Sequence, residues 1–386
     1  MFNNKTDMLN DSLVKNILLF TLPIALSSIL QQLFNAADTS IILAIIAGLV
    51  GLIFGQCMAR PLLYLIKTPI EIINFAEIYL RIYLLGYPFL LLYDFVSAIL
   101  RARGDSRFPF IALTISGIVN VLLNMIFVIV FHLEVAGVAL ATDISTILSA
   151  IMVIYHLKKD TAYFHLSFRS LHLNYHELIN IIKIGIPSAV QGAVFCFTNI
   201  FVQAAVNSFG AVSTAGSTIA MNFEYFAYYV ITAFGQTATT FTSQNYAAGH
   251  KKRCRHILLL CTAFSILISL IIIEPIVIFR DSFSGIFSTE QAVIQNAGIR
   301  ILCILFFEPI CGLYEIPAGV LRGTWHSLLP AVVTIIGTCA FRIIWIFTFF
   351  KHHHTLETLY MAFPISWLIT ITLMLICFIK TKPIHD

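Results

Sequence analysis

An all-α membrane protein, with about eleven spans in two pseudo-symmetric transmembrane helix bundles, is the fold class that three observations predict. The first is composition. Of 386 residues, 59% are hydrophobic and 11% charged, and the mean hydropathy is +0.91. Globular domains carry roughly 25% charged residues, so too few remain here to coat a surface in water. The second is the recurrence of apolar runs of about 20 residues, each able to cross a hydrocarbon core ~30 Å thick. These runs lack the alternation of a membrane barrel. The third is an internal repeat. Composition thus excludes a nucleic-acid binder, a secreted disulfide scaffold and an ordinary cytosolic enzyme. The net charge of +4 requires no polyanionic partner. The eight cysteines show no metal spacing and read as small apolar packing residues.

The elements follow in order. The run 13–37 succeeds a polar start and reads as an uncleaved first span, since it is long and its Pro23 recurs in the repeat. Further runs lie at 41–66, 75–100, 108–131 and 136–157. The stretch 158–178 sets Leu166, Phe168, Leu171 and Leu173 among polar residues and reads as an interfacial cytoplasmic linker. Six more runs occupy 179–208, 212–243, 257–279, 294–321, 327–350 and 357–379. The predicted organisation is an N-terminal bundle (1–157), the linker (158–178) and a C-terminal bundle (179–386). Basic clusters stand at 101–107, 158–183 and 251–255, at Arg322, and at Lys380 with Lys382. Two spans separate each from the next, so all lie on one side, and the positive-inside rule makes it the cytoplasm. A multi-pass, monomeric protein of the cell inner (plasma) membrane, surrounded by lipid, is expected.

The two halves repeat each other. At an offset of 221, Pro88 pairs with Pro309, Tyr93 with Tyr314, Asp94 with Glu315, Leu100 with Leu321, Arg101 with Arg322 and Pro109 with Pro330. At 220, Thr114, Gly117 and Phe127 pair with Thr334, Gly337 and Phe347. The opening spans match at 164, pairing Pro23 with Pro187, Ala25 with Ala189 and Asn35 with Asn199. Apolar composition alone would align Leu with Ile, not prolines, acids and basic ends. A repeat across a basic linker is a transporter signature, with the solute site between the halves. The offsets 221 and 164 differ by 57, so the first half is short by about one span, between Asp38 and Pro88. The odd number of spans before the basic loop at 101–107 agrees with that deficit.

The stretch Leu33-Phe34-Asn35-Ala36-Ala37-Asp38-Thr39 resembles the first-helix motif of multidrug and toxic compound extrusion (MATE) transporters. Residues 100–105 (LRARGD), 137–142 (GVALAT), 185–189 (GIPSA), 243–249 (SQNYAAG) and 319–323 (GVLRG) resemble later motifs of that family, in order. The resemblance implies two six-helix bundles and drug efflux coupled to entry of Na⁺ or H⁺, with no organic cofactor. The missing stretch corresponds to the family's second helix. The other readings are a lipid-linked saccharide flippase of the same superfamily, or a non-transporting truncated remnant.

Ionisable groups inside spans cost about 2.5–3.5 kcal/mol at the helix centre, so they mark function. Asp38, beside Asn35, is the sharpest candidate. Burial favours its neutral form and a bound cation its carboxylate, which suits a coupling site. The same residue also suits a cap on the next helix through Thr39 and Ser40. Asn120 and Asn124, four apart, share one helix face. The resemblance implies a cation site from Asp38, Asn120, Asn124 and Thr142, with Asn124 in place of an acid. Asp143 is a candidate to restore that charge, although it points about 100° from Thr142.

A substrate cavity is expected around Asp94 and Glu315, around their neighbours Tyr93 and Tyr314, and around Glu224 in its aromatic surroundings. Such groups suit small cationic or amphipathic organic solutes through cation–π contact; packing and structural hydrogen bonds are the competing readings. Glu308 stands at a proline where a helix break would wet it. The second branch-specific acid of the family falls on Phe195, so that site is absent. Arg342 is expected to pair with Glu308 or Glu315, or to snorkel. His352, His353 and His354 read as a solvated cluster rather than a metal site. No HExxH, GxSxG or P-loop occurs, so the chain is not expected to be an enzyme. Proline-broken helices at Pro23 and Pro187 are expected to supply bend points.

Overall fold

The computed structural model describes residues 13–65, 73–159 and 173–384, with only the backbone at 13–36 and 65. The described residues are helical and contain no strand. The chain divides into two compact units, residues 1–181 and 182–386. Among the described residues, eight helices are long and apolar enough to cross a membrane, and a bent pair raises the number to nine.

In the first unit, α1 runs Leu13–Leu65 as one 53-residue helix. The runs 13–37 and 41–66, expected as two spans, are therefore continuous. The join Ala37-Asp38-Thr39-Ser40 holds neither glycine nor proline, so nothing interrupts the hydrogen-bond ladder. At 1.5 Å per residue α1 is roughly 80 Å long, and its candidate span is Ala37–Tyr64. The predicted span at 75–100 is a broken one: α2 (Ile73–Leu85) and α3 (Tyr87–Ala102) meet at Gly86 with a 42° bend. Then come α4 (Arg107–Met125), a π-turn (Ile126–Val130) and α5 (Glu134–Lys159). Four rods thus precede α6 (Tyr175–Asn207). The unit's core packs Ile41, Tyr93, Val96, Leu100, Val153 and Leu157. α4 exposes Phe110, Ile118 and Val121, and the π-turn after it Ile129, a stripe that water would penalise and lipid accepts.

The second unit adds α7 (Ala211–Ala247), α8 (Lys251–Ile278), the short α9 (Arg280–Gly285) and α10 (Gln291–Cys303). A 3₁₀ stretch (Leu305–Cys311) around Pro309 leads into α11 (Gly312–Gly323). A π-turn (Ile335–Ala340) joins α12 (Leu328–Thr334) to α13 (Phe341–Trp345), and a second (Ile346–Phe350) ends that rod. α14 (Leu356–Thr381) completes the set. α7 carries ten Ser and Thr residues and is not among the candidate spans.

The repeat is visible in the backbone. Asp105 and His326 donate their N–H groups to Leu100 and Leu321, at 3.0 and 2.9 Å. Gly104 and Trp325, again 221 apart, both take positive φ, +92° and +68°. The π-turns at Ile126–Val130 and Ile346–Phe350 start 220 residues apart.

Prolines act differently from expectation. α6 passes through Pro187 as one element; the broken span among the described residues lies instead at Gly86. A proline leaves the carbonyl four residues earlier without its N–H partner. Here that carbonyl, on Lys183, accepts from Ser327 Oγ at 3.2 Å, which lets the helix continue. The side chain of Pro23 lies outside the described residues.

The basic loop before α4 has its own electrostatics. Asp105 Oδ1 accepts from the backbone N–H groups of Arg107 and Phe108 at 3.2 and 3.1 Å. Its Oδ2 lies 2.9 Å from His156 Nε2, and Phe108 stacks on the His156 ring. Burial acts to raise the Asp105 carboxyl, but these hydrogen bonds outweigh it and hold the group below its ordinary range. A depressed carboxylate contributes stability above its unfolded value and loses it as pH falls through the folded one. Wild type should therefore melt above Asp105→Asn at neutral pH, in detergent. The gap should close as the pH drops below about 4; a gap constant with pH would contradict the assignment.

Candidate functional site

Among the described residues, a polar cluster stands within the apolar interior of each unit. In the first unit, α4 and α5 face each other through Asn120, Asn124, Thr142 and Ser145. Asn120 Nδ2 donates to Thr142 Oγ1 at 3.4 Å and to Ser145 Oγ at 3.3 Å. Asn124 Nδ2 donates to Asn120 Oδ1 at 3.1 Å. The hydroxyl protons of Thr142 and Ser145 go to the carbonyls of Val138 and Thr142, at 3.0 and 2.8 Å. Their oxygens thus remain acceptors. The remaining amide oxygen, Asn124 Oδ1, is buried with no hydrogen-bond partner among the described residues. Ser145, three residues beyond Thr142 on the same face, joins a set from which sequence reading omitted it.

Asp143 lies elsewhere. It is buried, and its Oδ1 packs so closely on Gly86 that a Cβ there would collide. It thus faces the α2–α3 break rather than Asn124, following the 100° step of a helix. Asp38 is half-buried on α1, between the buried Ala37 and Thr39. The side chain of Asn35 lies outside the described residues.

In the second unit, residues of α6, α7, α10, α11, α13 and α14 line a cavity of about 350 Å³. Of the five residues expected around a substrate, Glu224 and Tyr314 line it. Glu315 does not; its Oε1 pairs with Arg322 at 3.2 Å. Tyr93 belongs to the other unit's core and donates to the Pro109 carbonyl at 3.0 Å, while Asp94 beside it is exposed. The offset-221 partners therefore have different surroundings.

Glu224 is not a free acid. Arg300 holds it bidentately, Nε to Oε1 at 2.6 Å and Nη2 to Oε2 at 2.8 Å, and Arg300 Nη1 donates to Ser217 Oγ at 2.6 Å. The guanidinium carbon also lies 5.4 Å from the Tyr360 ring centroid. Bidentate geometry and additional hydrogen bonds let such a pair offset the cost of leaving water. Sequence reading missed Arg300. Its signal was a single basic residue inside the apolar run 294–321.

Glu308 also lines the cavity, but it is buried rather than wetted, and its Oε2 lacks a hydrogen-bond partner among the described residues. Arg342 is buried and pairs with neither Glu308 nor Glu315 within 4 Å. It stacks on Phe363 instead, 3.9 Å from the ring centroid.

Comparison with known proteins gives these arrangements a context. The MatE family model matches residues 30–126 and 187–348. The chain is 23% identical over 355 residues to the probable multidrug resistance protein YoeA of Bacillus subtilis, covering 89% of this chain and 76% of that one. Over 284 residues it is 27% identical to the probable multidrug resistance protein YpnP of the same organism, covering 73% and 63%. It spans 59% of the multidrug export protein MepA of Staphylococcus aureus, at 22% identity over 69% of this chain. Among solved structures, an outward-facing multidrug resistance MATE transporter of the MOP superfamily superposes with a TM-score of 0.83. That match has 19% identity and covers 91% of this chain and 79% of that one. A MOP-superfamily transporter from Pyrococcus furiosus, described as having a binding pocket of reverse polarity, also gives 0.83. Its identity is 18%, with coverage of 97% and 89%.

Proposed function

The chain belongs to the MatE family, whose members are transporters and not enzymes, and from that premise we propose that it exports drug-like organic solutes in exchange for Na⁺ or H⁺. The membrane it serves is the cell inner (plasma) membrane. Its solutes are small amphipathic organic molecules, cationic ones included.

The observation that carries the coupling half of this reading is the oxygen cluster of the first unit. A buried amide oxygen without a donor is costly, and a hard cation favours oxygen ligands. Asn124 Oδ1, Thr142 Oγ1 and Ser145 Oγ offer neutral oxygens between α4 and α5. Asp38 supplies the negative charge that these neutral groups lack. Ion or proton binding neutralises that carboxylate and stabilises one arrangement of the bundles. Release restores the charge and favours the other, so that access alternates. The solute leaves in the exchange.

The test is gradient-driven efflux of ethidium from everted vesicles, with an imposed Na⁺ or pH gradient. Asp38→Asn should abolish the response to the coupling gradient while leaving the amount of inserted protein unchanged. Efflux that responds to both gradients as wild type does would overturn the coupling reading.

A further inference from the structure

The second unit's cavity is lined by four acidic or basic side chains, Glu224, Arg300, Glu308 and Arg342, and two of them are already spent on each other. Glu224 and Arg300 form the bidentate pair described above. The cation that remains is Arg342. Its side chain is 1% exposed, yet it lines the cavity. Its Nε donates to Ser366 Oγ at 3.0 Å. Its Nη groups have no hydrogen-bond partner, and no carboxylate lies within 4 Å of them, among the described residues. The ring centroids of Phe363, Phe195 and Trp367 stand 3.9, 5.9 and 6.0 Å from its guanidinium carbon.

This is a built site. Ser366 and the Phe363 face hold the guanidinium plane in one orientation. Two parallel N–H donors at the Nη edge match a carboxylate. Aromatic walls suit a flat apolar body attached to it. We infer that this cavity binds an aromatic carboxylate, its carboxylate on the Arg342 Nη groups and its ring against Phe363 and Trp367. Glu308, the remaining acid in the cavity, accepts rather than donates when ionised and so cannot replace Arg342 as anchor.

The inference deepens the export reading and rests on it for biological meaning. Its test, however, is binding without any gradient, so its failure leaves the Asp38 test untouched. Purified full-length protein is titrated with 1-naphthoate, 1-naphthamide and 1-naphthylmethylammonium, reading quenching of tryptophan fluorescence. Naphthoate should bind at least about tenfold tighter than the neutral amide, the size expected of a charge-assisted pair. Arg342→Gln should remove that preference while the amide's affinity stays unchanged. Glu308→Gln should retain or strengthen it. Equal affinity for acid and amide, tighter binding of the ammonium, or an unaltered preference in Arg342→Gln would each overturn the proposal. Should Arg342→Gln fail to fold, the three-ligand comparison on wild type still decides.

Discussion

Replacing Glu224 with glutamine should destabilise the second unit by about 3–5 kcal/mol, because it strands the Arg300 guanidinium in a buried site. The Arg300 side chain is 5% exposed and that of Glu224 13%, so water cannot take over the lost contacts. Thermal denaturation in detergent, followed by loss of the monodisperse chromatographic peak, is the measurement. A double variant, Glu224→Leu with Arg300→Met, removes both charges and keeps volume. It should recover most of the loss, since replacing a whole buried pair by apolar groups is often neutral. If the single variant melts within about 1 kcal/mol of wild type, the pair is not the strut described here.

The second large effect concerns the contact between α7 and α11. A Cβ at Gly319 would stand 2.5 Å from the Gly235 carbonyl oxygen, and one at Gly323 2.8 Å from that of Thr239. Backbone lies against backbone here, as in small-xxx-small pairs of membrane helices. Gly319→Ala should cost about 1–3 kcal/mol through overpacking, and Gly319→Leu should prevent recovery of folded protein. Gly117 is the control, because a Cβ there meets nothing within 4 Å. Gly117→Ala should gain up to about 1 kcal/mol from helix propensity. Equal melting of Gly319→Ala and wild type would remove the close approach.

Much of this molecule was legible before any coordinates. Run length and low charge specify helices in lipid, since no other element satisfies a backbone there without a barrel's alternation. The repeat was legible because paired prolines, glycines and basic ends set local backbone geometry. Gly104 and Trp325 share a positive φ, and the π-turns at Ile126–Val130 and Ile346–Phe350 share an offset. Asn120 and Asn124 could be grouped from spacing, because one helix face is a local property; Thr142, on the next helix, joined them only through the family resemblance.

Charge pairing was not legible. Glu224 and Arg300 are 76 residues apart, and helical periodicity places a residue on a face without naming the face opposite. The same holds for Arg342, which took an aromatic face instead of an acid; Glu315, by contrast, took Arg322 seven residues on along its own helix. Nor could sequence tell that 13–37 and 41–66 join in one helix, because continuity depends on having no reason to stop rather than on a positive signal. Local chemistry dictated which segments are helices and where they turn. Packing alone decided which buried charges neutralise each other, because in a medium that solvates no ion each must take the partner that assembly brings within reach.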